Sequence, residues 1–214
     1  MIELFCKALG AYLIGNLMGG QLVGRLRGGV DLSKVGSGNI GATNALRTQG
    51  KGFALAVLLI DIFKGVAAVV FVPAVQWSWA GPTDVSTEIQ AYICGVAVAV
   101  GHCYPVFSGF KGGKGVATLA GVFGALMPIA LLWMLGGFIL TVLLTGYVSL
   151  ATLVAAVLSV IYAAQLGLAT SAFGFAVAMA LLVVWKHREN IQRLIKGNES
   201  RFEKARVLGR WLSR

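Results

Sequence analysis

Two glycine-rich segments carry most of the polar chemistry of an otherwise apolar chain. They are Gly36-Ser37-Gly38-Asn39-Ile40-Gly41-Ala42-Thr43-Asn44 and Phe110-Lys111-Gly112-Gly113-Lys114-Gly115. Glycine lets backbone N–H groups come close to a ligand, lysine brings charge, and serine and asparagine bring hydrogen bonds. Together these are the ingredients of a phosphate cradle, set at the start of a helix where amides point outward. In a chain that is 57% hydrophobic, such segments point to an anionic ligand.

A third polar cluster runs Lys186-His187-Arg188-Glu189-Asn190-Ile191-Gln192-Arg193-Leu194, with Gly197-Asn198-Glu199 beyond it. The i, i+3, i+7 spacing of His187, Asn190 and Leu194 places them on one helical face, so His187 and Asn190 can address one ligand near a membrane surface. The alternative is a basic amphipathic tail lying on lipid headgroups, which suits residues 201–214 better. His102, beside Cys103 and Pro105, reads equally as a helix cap or a site residue. Asp61 and Lys64 share a face of an apolar run, where charge is costly, and are expected to form a structural ion pair rather than a catalytic one.

Several chemistries are excluded. Gly36-x-Gly38-x-x-Gly41 has the spacing of a dinucleotide fingerprint but lacks the preceding strand and the βαβ unit. Ser108–Gly115 departs from a Walker A loop at both ends, with Ser108 for the first glycine and Gly115 for the final Ser/Thr, which argues against a nucleotide triphosphatase. No Ser/His/Asp triad is assignable, and two histidines with few carboxylates offer no metal-ligand cluster. His102 is followed five residues on by Phe107, and His187 by Gln192, so the His-x4-Asp pattern of soluble-domain glycerolipid acyltransferases is missing, as is the aspartate-rich pattern of CDP-alcohol phosphotransferases. Cys6, Cys94 and Cys103 suggest buried thiols rather than a disulfide framework. The remaining chemistry relies on cationic and hydrogen-bond stabilisation more than on a strong base.

The elements that must position these residues are membrane helices. The chain has 214 residues, 12% of them charged, and a mean hydropathy of +0.82. Apolar runs of spanning length recur, which predicts one all-α, polytopic integral membrane domain over residues 1–214, with a basic cytoplasmic tail from about 187. The runs are Leu4–Val23 (a retained helix rather than a cleaved signal), Gly52–Val75, Glu88–Val106, Val116–Thr145, Val148–Ala164 and Leu168–Trp185. The net charge of +10 concentrates in three places: residues 25–64, Lys111 with Lys114, and Lys186 onward; residues 76–88 carry no basic residue. Placing these basic regions on the cytoplasmic side requires an even number of crossings between Lys114 and Lys186. Val116–Thr145 is therefore expected to cross twice, turning near Pro128, for seven transmembrane helices with the N-terminus outside and the C-terminus cytoplasmic. The pI of about 9.9 fits attraction to anionic lipid or substrate; the basic residues flank membrane helices without an aromatic stacking surface, so nucleic acid is not expected.

The chain resembles the bacterial acyl-phosphate:glycerol-3-phosphate acyltransferase (PlsY) family. The resemblance rests on residues 36–44, on Gly-His-Cys-Tyr-Pro-Val-Phe-x-x-Phe-Lys-Gly-Gly-Lys-Gly-Val-Ala-Thr over 101–118, and on His-Arg-Glu-Asn-Ile-x-Arg-Leu over 187–194 with Glu199 beyond. It implies acyl transfer from acyl phosphate to the 1-hydroxyl of glycerol 3-phosphate. It further implies no acyl-CoA or acyl carrier protein donor, no cofactor and no metal, and a monomer in the bacterial inner membrane with its site facing the cytoplasm. By the same resemblance Ser37, Lys111, His187 and Asn190 are the expected catalytic residues. Gly38, Asn39, Thr43, Asn44, Arg47, His102, Gly112, Gly113, Lys114 and Glu199 are the expected substrate-binding ones. A phosphate or sugar-phosphate transporter is the rival reading, but it would want a midplane site, whereas these motifs gather at one face.

Overall fold

The computed structural model of the protein describes residues 1–76, 81 and 83–212. The loop over residues 76–88, expected to carry no basic residue, falls partly, and the end of the basic tail wholly, outside the described residues. The described residues form helices, turns and loops without a strand. They group into two compact units, Met1–Leu126 and Met127–Arg214.

The first unit holds α1 (Ile2–Gly15), α2 (Gly19–Leu26), α3 (Ala42–Thr48), α4 (Lys51–Ala74), α5 (Thr87–Cys103) and α6 (Val116–Leu126). At 24 residues α4 is about 36 Å long, enough to cross a hydrocarbon core of roughly 30 Å. Ser86 opens α5, its hydroxyl accepting the Ile89 N–H at 3.3 Å, with Glu88 in the first turn where the helix dipole favours an anion. Lipid gives helices no hydrophobic reason to associate, so close packing falls to small residues. Gly15 and Gly101 bring α1 and α5 into backbone contact, and Gly65 and Gly121 do the same for α4 and α6. These two contacts converge the residues around Lys64 and His102.

The first apolar run is not the single helix expected over Leu4–Val23. It breaks after Gly15 and resumes at Gly19, bent by 44°. In an unbroken helix the Gly19 N–H would donate to the Gly15 carbonyl. Here the Gly19 N–H donates to Asp61 Oδ1 at 3.2 Å, and the Gly15 carbonyl accepts from Lys64 Nζ at 3.1 Å. Lys64 also donates to the Leu17 carbonyl at 2.8 Å and lies 2.9 Å from Asp61 Oδ1. The ion pair on α4 thus supplies both halves of the bond the break removes. That is how a broken backbone is tolerated at membrane depth.

The second unit holds α7 (Pro128–Thr145), α8 (Val148–Gln165), α9 (Ser171–Lys186), α10 (Arg188–Ile195) and α11 (Val207–Leu212). The run Val116–Thr145 is two helices, as expected. Pro128 stands at the first position of α7, where its missing N–H costs nothing. Gly146 (φ +76) ends α7 in the left-handed conformation. Residues 201–212, expected to lie on headgroups, are also held by protein. The Phe202 N–H donates to the Gly146 carbonyl at 2.8 Å, the Arg201 guanidinium sits 4.6 Å over the Tyr147 ring, and Gly209 lies against the Leu144 carbonyl.

Among the described residues, α4, the stretch Thr87–Ser108, α7 and α8 are long and apolar enough to cross a membrane. The bent α1–α2 pair makes a fifth, and α6 and α9 are shorter apolar helices.

The glycine contacts yield a contrast. A methyl group on Gly121 would overlap the Ile62 carbonyl, whereas one on Gly136 meets nothing within 4 Å. Gly121→Ala is expected to cost about 1–3 kcal/mol through forced separation of α4 and α6. Gly136→Ala should leave stability unchanged or slightly raised. Unfolding temperatures in one detergent check both, and equal effects would contradict the packing account.

Candidate functional site

Both glycine-rich segments fold as turns within the first unit. In the first segment, Asn44 is the fastener. Buried on α3, it accepts the Ser37 N–H on Oδ1 at 2.9 Å, and its Nδ2 donates to the carbonyls of Leu32 (3.1 Å) and Val35 (2.9 Å). Gly36 (φ +59) is required at this point: the conformation is left-handed, and a Cβ would overlap Asn44 Oδ1. Asp31 starts the loop by accepting the Ser33 hydroxyl and N–H, which hold its carboxyl below the usual carboxylate range. The result presents Ser37 and Gly38 to the outside, with Asn39 and Thr43 half-buried and Arg47 exposed on the last turn of α3.

The second turn folds over His102. The Gly113 N–H donates to the His102 carbonyl at 3.1 Å. A Cβ on Gly112 would overlap that carbonyl, and one on Gly113 would overlap the ring atom Nε2. This is the close backbone approach that the glycines permit. Lys111 is exposed and Lys114 half-buried. Phe110 precedes them with φ +61, a conformation uncommon for a bulky residue and often found at functional sites.

Helix α2 is the strut between the two turns. Gly20 lies against the Ile40 carbonyl of the first, and Gln21 Nε2 donates to the Ser108 hydroxyl, just ahead of the second, at 3.0 Å. A shallow cleft beside α2 is lined by Gln21, Arg25, Gly29, Asp31 and Ile40. The 44° bend after α1 therefore sets where both turns stand.

His102 is neither a simple cap nor an isolated ligand. Its ring is buried, with Nδ1 2.7 Å from Lys64 Nζ, 3.2 Å from Thr118 Oγ1 and 3.6 Å from Asp61 Oδ1. With Lys64 as an ammonium, which can only donate, Nδ1 is assigned as the acceptor and the ring proton to Nε2. Asp61 and Lys64 form the expected buried ion pair, extended here by His102 and Thr118.

The second unit brings His187, Asn190 and Glu199 into one neighbourhood, but not on one continuous helix. His187 is the junction between α9 and α10, its Nδ1–H donating to the Val183 carbonyl at 2.8 Å. That bond fixes the ring and leaves Nε2 as the nitrogen that carries the lone pair when the ring is neutral. Glu199 receives the Asn190 amide (2.7 Å) and the Ser149 hydroxyl (2.8 Å) on Oε1, and Arg193 Nε (2.7 Å) on Oε2. Burial raises its pKa, but the bonds from Arg193, Asn190 and Ser149 outweigh that and leave it below the ordinary 4.5.

Thr118 and Arg193 stand within the quoted motifs but were given no site role, and Gln21 and Ser149 lie outside them. Their side chains serve other site residues, which local patterns do not reveal.

Comparison with known proteins agrees with the motifs. The sequence model of the family described as glycerol-3-phosphate acyltransferase matches residues 5–197. A glycerol-3-phosphate acyltransferase of Geobacter metallireducens is 44% identical over 203 residues, covering 95% of this chain and 99% of the relative. One of Desulforamulus reducens is 41% identical over 191 residues, covering 89% and 91%. The crystal structure of PlsY, an integral membrane glycerol 3-phosphate acyltransferase, in its glycerol 3-phosphate form has a TM-score of 0.80 at 35% identity, covering 93% of this chain and 95% of that one. Its lysophosphatidic acid form has the same TM-score at 34% identity, with 96% and 98% covered.

Glu199 gives a pH test. A carboxylate with a lowered folded pKa stabilises the fold above its ordinary value and loses that contribution as pH falls through the folded one. Glu199→Gln should therefore be less stable than the native protein near neutral pH. The gap should close below 4.5. Unfolding temperatures from about pH 7 to about pH 3 read this, and a gap that stays constant would count against Glu199 as the charged hub.

Proposed function

The chain belongs to the integral-membrane glycerol-3-phosphate acyltransferase family, and we propose that it moves a fatty acyl group from acyl phosphate to the 1-hydroxyl of glycerol 3-phosphate. The products are lysophosphatidic acid and inorganic phosphate, in the first step of phospholipid synthesis. The observation that carries the reading is the likeness, along nearly the whole chain, to a protein solved in glycerol 3-phosphate and lysophosphatidic acid forms. The two glycine turns support an acyl phosphate donor, because both substrates then present a phosphate to a chain built to receive anions.

In this reading Lys111 and Lys114, with the amides of Gly112 and Gly113, hold one phosphate, and Arg47 assists. Ser37, with the amides around Gly38, addresses the reacting carbonyl. Asn39, Thr43, Asn44 and His102 shape these turns. His187 and Asn190 place glycerol 3-phosphate, and Glu199 acts through Asn190 and Arg193. All of these act as one membrane-embedded domain.

Acyl phosphate is a mixed anhydride with phosphate as a good leaving group, so positioning does most of the chemistry. Holding the hydroxyl against the carbonyl supplies up to about 7–11 kcal/mol. A donor aimed at the developing oxyanion, such as Ser37, adds about 3 kcal/mol. The hydroxyl oxygen bonds to the carbonyl carbon, the carbon–oxygen bond to phosphate breaks, and the departing phosphate takes the proton. The reaction so written needs no metal or cofactor.

The reading includes seven crossings, counting α1–α2 as one and including α6 and α9. Basic residues on the cytoplasmic side put the N-terminus outside and the site on the inner face of a bacterial cytoplasmic membrane. The protein works as a monomer.

The test supplies palmitoyl phosphate and glycerol 3-phosphate to purified protein without metal, with palmitoyl-CoA in a parallel reaction. Equimolar lysophosphatidic acid and phosphate from the first, and nothing from the second, is the expected result. Product from palmitoyl-CoA alone would contradict the donor. His187→Gln should raise KM for glycerol 3-phosphate and keep most of kcat; a kcat loss of about 10²-fold or more at unchanged KM would instead mark His187 as a general base.

A further inference from the structure

We propose that Lys64 is a positioning residue for the reaction: by donating to His102 Nδ1 it locks the imidazole beneath the Gly112–Gly113 turn and so sets the phosphate cradle. The proposal rests on the reading that this turn holds a substrate phosphate.

The Lys64 ammonium has three protons and four acceptors within reach. Three of these acceptors, the Gly15 carbonyl, the Leu17 carbonyl and Asp61 Oδ1, belong to the repair of the broken helix. The fourth, His102 Nδ1, does not, yet at 2.7 Å it is the shortest. A lysine that served the helix break alone would have no need of it. The same nitrogen meets Thr118 Oγ1 at 3.2 Å, from the first turn of α6, directly after the glycine turn. One edge of the ring is therefore anchored from two helices, α4 and α6.

The opposite edge carries the consequence. Nε2 lies where a Cβ of Gly113 would be, and the His102 carbonyl both accepts the Gly113 N–H and lies where a Cβ of Gly112 would be. The turn thus rests on the ring and its backbone without an intervening side chain, and a displaced ring displaces the turn. Lys64, Asp61 and His102 are all at most 3% exposed, so water does not replace the lost partner.

Two measurements on the full-length protein test this. The first is nitrogen-15 NMR of the imidazoles in the native protein, with the two histidines told apart by His187→Gln. The expected result is His102 protonated on Nε2 with Nδ1 accepting. A proton on Nδ1 overturns the proposal without any variant having to fold.

The second is the Asp61→Leu, Lys64→Met double variant, which removes both charges together and avoids stranding one. The KM for one of the two phosphate-bearing substrates is expected to rise roughly tenfold or more, with His102 losing its single tautomer. A double variant with native KM values and an unchanged His102 tautomer would reduce the pair to a helix repair and overturn the proposal. Failure of the functional reading itself shows elsewhere, as native protein that turns over neither donor while its His102 spectrum stands as described.

Discussion

Everything in the first unit hangs on a lysine that completes a helix to which it does not belong. Where the first apolar run breaks, the Gly15 carbonyl and the Gly19 amide lose each other, and Lys64 and Asp61 of α4 take one each. Buried charge in a membrane is expensive, and removing one partner of such a pair costs roughly 3–5 kcal/mol. It persists here because each charge meets a backbone group that the bilayer cannot satisfy. The bend that results directs α2 away from the line of α1, and α2 is the strut to which both glycine turns attach.

The same economy recurs in the second unit. Glu199 gathers Ser149 from α8 with Asn190 and Arg193 from α10, as Lys64 gathers carbonyls. In each unit a buried or half-buried charge fixes residues of the candidate site, while Lys111 and Arg47 stay exposed. Such an arrangement suits acyl phosphate chemistry, whose demand is placement. In the proposed reaction the donor arrives activated, so the task is to hold two phosphates and one carbonyl in register rather than to generate a strong base.

Much of this was legible in the residues. Pro128 marks the division of Val116–Thr145 because proline opens a helix and does not continue one. Asp61 and Lys64 announce an ion pair because nothing else justifies charge in an apolar run. The break at residues 16–18 was not legible: Leu17 and Met18 are apolar, and the groups that make the break tolerable lie more than forty residues further on. Periodicity placed His187, Asn190 and Leu194 on one helix, yet His187 ends α9 and α10 begins after it, because the cost of a junction is invisible to spacing. Motif reading marked Asn44 for a ligand, whereas the structure commits its amide to Leu32, Val35 and Ser37. It also could not show that His102 stands under the glycines of the second turn, a contact made by folding and not by sequence distance.

The central claim is attack on the acyl carbon of a phosphate-anchored anhydride. The most direct test uses palmitoyl phosphate labelled with oxygen-18 in the bridging position, turned over with glycerol 3-phosphate. Attack at carbon breaks the bond between carbon and the bridging oxygen, so the label should leave in inorganic phosphate, with none in lysophosphatidic acid. Label retained on the acyl carbon, with phosphorus–oxygen cleavage, would contradict the account.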